Sequence, residues 1–257
     1  MKRIHLFEFE DFHWFPSFLR NYMTDYLQYV SNKAKVYSPI SDLLIGKLKA
    51  SKSTHILDLA SGGGGGLLWL NSEIKKQIPD LTVTLTDYYP NIKAFEETKL
   101  RASNFSYHTE SVDARNVPSN LKGFRTQFLS LHHFRPTDAK RILQNAIDSN
   151  TAIGIFEAQD RTIPSFIGML LSPISVWLTT PFIKPFKLGR VFFAYILPII
   201  PIVVLWDGIV SCLRTYSVSE MEDLVNDLAN KDNFEWEIGM KNQAMKKVLY
   251  LIGTPKA

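Results

Sequence analysis

Five consecutive glycines, Gly62 to Gly66, follow directly on the apolar run Ile56-Leu57-Asp58-Leu59-Ala60. Few arrangements tolerate such a stretch. Glycine loses more backbone freedom on folding than any other residue, so five in a row are costly unless a chain must turn sharply or come close to something. A strand that ends in this loop and continues as a helix over 64–78 would carry backbone N–H groups up to a nucleotide-like ligand. The neighbours exclude two versions of that motif. A dinucleotide fingerprint read from Gly62 needs glycine where Leu67 stands, and a P-loop needs Gly-Lys-Ser/Thr where Gly66-Leu67-Leu68 stands. Asp58 at the strand tip also has the wrong charge for a diphosphate and the right one for an ammonium group.

Short apolar runs alternate with helical stretches on either side of this loop. Strands are expected at 55–60, 81–87, 105–110, 125–131 and 151–157, and helices at 91–103, 136–149 and 217–230. Such alternation argues for a mostly parallel sheet covered on both faces, a doubly wound α/β fold. The last two strands, 234–240 and 247–254, are separated by six residues, too few for a crossover helix, so they should form an antiparallel hairpin at the sheet edge. Ahead of the sheet, Phe18, Leu19, Tyr22, Met23, Tyr26, Leu27 and Val30 recur at helical spacing, and a second helix starts at Ser38-Pro39. The expected organisation is a helical cap over 1–50 and a seven-stranded domain over 51–257, with an apolar insert, 162–206, after the fifth strand.

With Asp58, the small residue Ala60 and the glycines that follow, the loop resembles the first motif of the class I S-adenosylmethionine-dependent methyltransferases. Ala60 stands where that motif has its first glycine. The resemblance runs from about residue 54 to the C-terminus, apart from the insert. It implies S-adenosylmethionine as cofactor, held by Asp58, Ala60, Ser61, Gly62 and Gly64 on the methionyl side and by Asp87 on the ribose hydroxyls. One carboxylate accepts two hydrogen bonds at once, which suits the second role. Tyr88 beside it would pack on the adenine. Asp113 and Ala114 match the place where the family reads the adenine amine and ring, and Leu131 opens its fourth motif.

Leu131-His132-His133-Phe134 should end the fourth strand at the crevice where ligands bind in such sheets. Histidine titrates near neutrality and can take a proton from an acceptor. His132 is the preferred cleft residue, His133 is expected to satisfy a neighbouring backbone group, and Glu157, ending the fifth strand, is the next candidate. Two more clusters are placed to close the site: Glu8, Glu10, Asp11, His13, Trp14 and Phe15, and Trp206-Asp207-Gly208 with Arg214-Thr215-Tyr216. Arg214 reads first as an ion pair tying the insert to the core, and second as a holder of a substrate carboxylate. No metal is expected, since no H-x-x-x-H or C-x-x-C spacing occurs and adjacent histidines on a strand point to opposite faces.

Composition narrows the partners. Lys and Arg number 29 against 25 Asp and Glu, a net charge of +4, which is no basic stripe for nucleic acid. Single Cys212 forms no intrachain disulfide. Glu8, Glu10 and Asp11 fall where a signal peptide needs its apolar run, so a cytosolic location is expected. The insert is different: 28 of its 45 residues are hydrophobic and it holds three basic residues and no acid. Its charge-free stretches, 22 and 16 residues long, are broken by prolines, which disfavours a membrane-crossing hairpin. It reads either as a lid on a greasy substrate site or as an element at the inner face of a membrane, with Lys184, Lys187 and Arg190 meeting anionic head groups. The leading expectation is methyl transfer to an apolar small molecule or lipid-like acceptor. The alternatives are a non-catalytic, membrane-associated or partner-binding protein on the same fold, and, more weakly, a nicotinamide oxidoreductase.

Overall fold

The computed structural model describes residues 1–256. Seven strands form one sheet: β1 (His55–Asp58), β2 (Thr82–Leu85), β3 (Phe105–Tyr107), β4 (Phe124–Phe128), β5 (Ile153–Glu157), β6 (Phe234–Gln243) and β7 (Lys246–Pro255). Their order is β3-β2-β1-β4-β5-β7-β6. The first five are parallel, and β7 runs antiparallel to both β5 and β6. The expected edge hairpin is present, its turn made at Ala244 and Met245. Chain order reverses direction between β1 and β4, and at such a switch point the strand tips leave a crevice open.

Alternation along each central strand supplies both faces. Ile56, Phe156, Tyr250 and Ile252 pack beneath α2 (Ser41–Ala50), α3 (Leu68–Lys75) and α4 (Ile92–Arg101), whose Leu44, Leu70 and Phe95 are buried there. Leu57, Ile153, Ile155 and Leu251 face the other way, under α5 (Pro136–Asp148) and α10 (Val218–Asn226). Truncating any of these buried side chains to Ala costs about 2–5 kcal/mol.

A third apolar cluster stands apart from the sheet. It joins α1 (Ser17–Lys33) to the helices after β5: α6 (Ile163–Leu170), α7 (Ser172–Thr179), α8 (Leu188–Val191) and α9 (Ile199–Arg214). Leu19, Met23 and Tyr26 of α1 meet Val176, Ile200, Val203 and Val204. The first fifty residues therefore divide, α2 belonging to the sheet and α1 to the insert. The apolar excursion does not stop at 206 either, because α9 continues unbroken to Arg214.

Two of the insert's basic residues are not free for head groups. Arg190 is buried, its Nη1 2.5 Å from Asp25 Oδ2, and Lys187 Nζ donates to the same oxygen at 2.8 Å. Among the described residues, Lys184 alone of the three is exposed and outside an ion pair.

Candidate active site

The crevice above β1 and β4 is a cleft of about 480 Å³, lined by Ala60, Asp87, Tyr88, Asp113 and Ala114 on one side and by Asp11, His133, Phe134 and Arg135 on the other. Both central strands leave the sheet through a residue in the left-handed region, Ala60 after β1 (φ 52°) and Leu129 after β4 (φ 49°). Non-glycine residues pay about 1–2 kcal/mol for that conformation. These bends turn the chain out of the sheet at the point where the cleft opens.

Asp58 lies under this floor. It is buried, accepts from Thr126 Oγ1 at 2.7 Å, and burial pushes its carboxyl up to about 7. Ser61 stitches the two strand tips, its hydroxyl donating to Asp58 O (2.9 Å) and accepting from Thr86 N. Asp87 faces the cleft. Its Oδ2 accepts from Gly62 N and its Oδ1 from Tyr89 N, both at 2.8 Å, and burial raises its carboxyl. Each oxygen keeps a second lone pair for a ligand.

The glycines turn out to serve the protein's own packing as well. A Cβ at Gly63 would stand 2.1 Å from Gln28 Nε2, one at Gly65 2.5 Å from Gln28 Oε1, and one at Gly64 2.3 Å from Leu85 Cδ1. Asn32 of α1 also donates to Gly65 O and accepts from Trp69 N. Helix α1 thus lies on the loop, and Gly62, with open space at its Cβ and φ 55°, is the glycine of the run left facing outward.

Several expected site residues do not reach the cleft. Leu131 is fully buried in the core beneath α5. Glu157 and His132 are buried too and hold each other: His132 Nδ1 is 2.9 Å from Glu157 Oε2, and His132 N donates to Oε1 at 3.1 Å. It is His133, not His132, that lines the cleft. The reason is local: residues 131–133 form a 3-10 turn rather than a strand end, so the two rings do not point to opposite faces but stack obliquely, 4.2 Å apart. Asp113 lines the cleft but is already gripped by Arg115, with Nε 2.9 Å from Oδ1 and Nη2 2.8 Å from Oδ2.

The two sequence clusters meet here. Residues 3–11 run as a strap along α9: Ile4 N donates to Leu213 O, Arg214 Nε to Leu6 O, and Phe9 N to Asp207 Oδ1. Arg214 Nη1 lies 3.2 Å from buried Glu8 and Nη2 2.5 Å from Asp11 Oδ2, so the ion pair ties α9 to the strap rather than to the sheet. His133 Nδ1 is 3.2 Å from Asp11 Oδ1. Burial opposes a charged His133 ring, but the Glu8 carboxylate, the bond to Asp11 and Glu10 outweigh it and lift the ring to about 9. Burial would likewise raise Asp11, yet the bonds from His133 and Arg214 hold it below the ordinary carboxylate range. Burial pushes Asp207 up to about 8, with Glu10 and Glu8 adding to it.

Glu8, His132 and His133 are close enough together to embrace a cation. The Arg214 guanidinium already places a positive charge there, 3.2 Å from Glu8. Sequence reasoning missed His5, Arg115, Arg135 and Asp138 in the cleft wall; an Arg-Pro pair that opens a helix carries no separate signal for a ligand. No residue of the insert, 162–206, lines the cleft, whose walls carry the charged groups Asp11, Asp87, Asp113, Arg115 and Arg135.

No family model matches the chain, and no curated protein does. Among solved structures it is similar to the plantazolicin methyltransferase BpumL in complex with SAH, at a TM-score of 0.52 and 14% identity over 93% of this chain and 88% of that one. It is similar as well to the methyltransferase domain of a bacterial CtHen1, at 0.51 and 11% identity over 85% of this chain and 99% of that one. At such identities the likeness carries the fold.

Proposed function

We propose that this chain, whose fold is that of the class I methyltransferases, binds S-adenosylmethionine and transfers its methyl group to an apolar small-molecule or lipid-like acceptor. The observation that carries the reading is the pairing of two strand-tip acids around one cleft: Asp87 facing in with a lone pair to spare on each oxygen, and Asp58 buried beneath the left-handed bend at Ala60. A desolvated carboxylate with no cationic partner suits an ammonium one layer above it. The cofactor supplies a methyl group made electrophilic by a sulfonium.

The chain's own residues would then align and hold. Asp87 accepts the ribose hydroxyls, Tyr88 and Ala114 flank the base, and Asp58 fixes the backbone that receives the amine. His133 stands at the far wall, where its ring, once neutral, takes the proton that an acceptor hydroxyl gives up on methylation. Positive charge entering the cleft lowers its pKa by repulsion, so its proton responds to what the cleft holds. His132 and Glu157 position the turn that carries it. An acceptor with an apolar body draws its support from the strap, where Phe7 packs on Trp206 and Phe12 stacks on Trp14 on either side in sequence of the cleft residue Asp11.

Titration calorimetry with S-adenosylmethionine and its demethylated product tests this reading. Micromolar binding is expected, and Asp87→Ala should weaken it ten- to hundredfold, the loss of an interaction of about 1.5–3 kcal/mol. Absence of heat at millimolar ligand would remove the proposal. Unchanged affinity in the variant would instead reassign the ribose contact.

A further inference from the structure

The helices after β5 are apolar on two faces, and the protein covers only one. Along α7, Ser172, Val176 and Thr180 point inward while Leu171, Ile174 and Leu178 are exposed. Along α9, Ile200 and Val203 are buried while Ile202 and Trp206 are not. Helix α6, with the sequence Ile-Pro-Ser-Phe-Ile-Gly-Met-Leu, buries none of its residues. Sixteen of the chain's exposed large hydrophobic side chains fall within 163–206. A helix that is hydrophobic all round belongs inside a core or against lipid, and a protein normally leaves no apolar patch of this extent to water.

We propose that this outer face rests on the surface of an anionic lipid bilayer, seated in the plane of the interface rather than crossing it. Among the described residues, no single helix is long and apolar enough to span. The two segments that have the composition to do so are bent, by 43° between α6 and the helix after it and by 76° at the entry to α9. With bends of this size neither segment is one straight span. Charge selects lipid of negative sign: the segment contains no acid, Lys184 is exposed at its margin, and Arg101 donates to Lys184 O at 2.8 Å and so stands beside it. Protein interfaces of similar size intersperse hydrogen-bonding groups among their apolar ones; the rows Ile163-Ile167-Leu170 and Ile174-Leu178 hold none. Trp14, Trp177 and Trp206 are exposed at this end of the molecule, and indoles with one apolar and one polar edge settle at head-group depth. Trp206 and Arg214 are eight residues apart on α9, about 12 Å, so a seated face holds the cleft close to the membrane.

Flotation with vesicles of phosphatidylcholine containing phosphatidylglycerol, and of phosphatidylcholine alone, tests the proposal on the full chain. The wild type should float with the anionic vesicles, and brominated lipid should quench its tryptophan fluorescence. The double substitution Ile167→Glu, Leu170→Glu, at exposed positions, should lower partitioning at least about tenfold. Lys184→Glu should weaken binding to anionic vesicles and leave the weaker binding to phosphatidylcholine unchanged. The proposal is overturned if the wild type neither floats nor is quenched at about 1 mM lipid, or if the double variant floats like the wild type. It is equally overturned if light scattering shows a dimer that the double variant dissolves while vesicles capture neither. None of these outcomes depends on cofactor binding, so they leave the calorimetry above to be judged separately.

Discussion

His132 and Glu157 close on each other from the tips of two neighbouring strands: one carboxylate receives both the Nδ1 side of the imidazole and the backbone N–H of the same residue. Gln159 adds a contact to each, 3.2 Å to His132 Nδ1 and 3.3 Å to Glu157 Oε2. A buried bidentate arrangement of this kind fixes the turn after β4 and leaves the next residue, His133, to face the cleft.

The two histidines should therefore separate in experiment. Glu157→Gln, which keeps the shape but loses the charge-assisted bond, should cost about 1.5–3 kcal/mol of stability, read by urea denaturation. His133→Gln should leave the ground-state structure intact but change the pH dependence of stability. The folded chain holds a proton on His133 up to about pH 9, whereas an unfolded chain releases it near 6.5. Its contribution is full below about 6.5 and is lost as the pH rises through 9. An NMR titration that finds the His133 ring changing state near 6.5 would contradict this, and addition of S-adenosylmethionine should move the midpoint downward.

Asp58 gives a second dependence, of opposite consequence for ligand. Its folded carboxyl is raised from 3.8 to about 7, so the folded state binds the proton more tightly than the unfolded one. Stability without ligand then falls as the pH rises from about 4 to 7. An ammonium ligand needs the carboxylate, so affinity for S-adenosylmethionine should rise over the upper part of the same window and level off above it. Asp58→Asn should bind more weakly and flatten that profile in calorimetry repeated across pH.

Ala60 offers a substitution in the opposite direction. Glycine at this position relieves the left-handed penalty of about 1–2 kcal/mol but adds about 0.5–1 kcal/mol of unfolded-state freedom. Ala60→Gly should leave stability unchanged or raise it by up to about 1.5 kcal/mol, with cofactor affinity equal to the wild type or better. A clear loss of stability by thermal unfolding would mean that the methyl group packs rather than strains.

Arg125, the second residue of β4, is buried, with one hydrogen bond from Nη1 to Asn145 Oδ1 (2.9 Å), and its Nε without a partner; burial lowers its pKa to about 10. No carboxylate pairs with it among the described residues. Arg125→Met should stabilise the fold by about 1–3 kcal/mol, since Asn145 Oδ1 still receives Val117 N. Chemical denaturation checks the sign.

What could be read in the sequence followed from local pattern. The alternation of strands and helices, the antiparallel hairpin at the edge and the acids at or just beyond the tips of β1 and β2 each depend on residues close together in the chain and are present, the hairpin with a two-residue turn instead of the expected six. What could not be read depends on partners far away. Nothing near Lys187 and Arg190 announces that Asp25 neutralises both from α1. Nothing near Gly63 announces that Gln28 fills the space a Cβ would take. The exchange of roles between His132 and His133 came from a 3-10 turn where a strand end was expected, and one residue of phase decides which ring faces the ligand.

The strap carries an implication for how the protein is made. Ile4 pairs with Leu213, and Glu8 and Asp11 with Arg214, across more than two hundred residues of chain. These residues leave the ribosome early, yet their partners on α9 are synthesised late. Loop closure over such a length is slow to be rewarded. The five parallel strands, with their tips and acids, are all synthesised before α9, so the wall that Asp11 and His133 build waits on a later part of the chain. Until then the nascent chain exposes a half-built cleft, together with an apolar face that has nowhere in the protein to go.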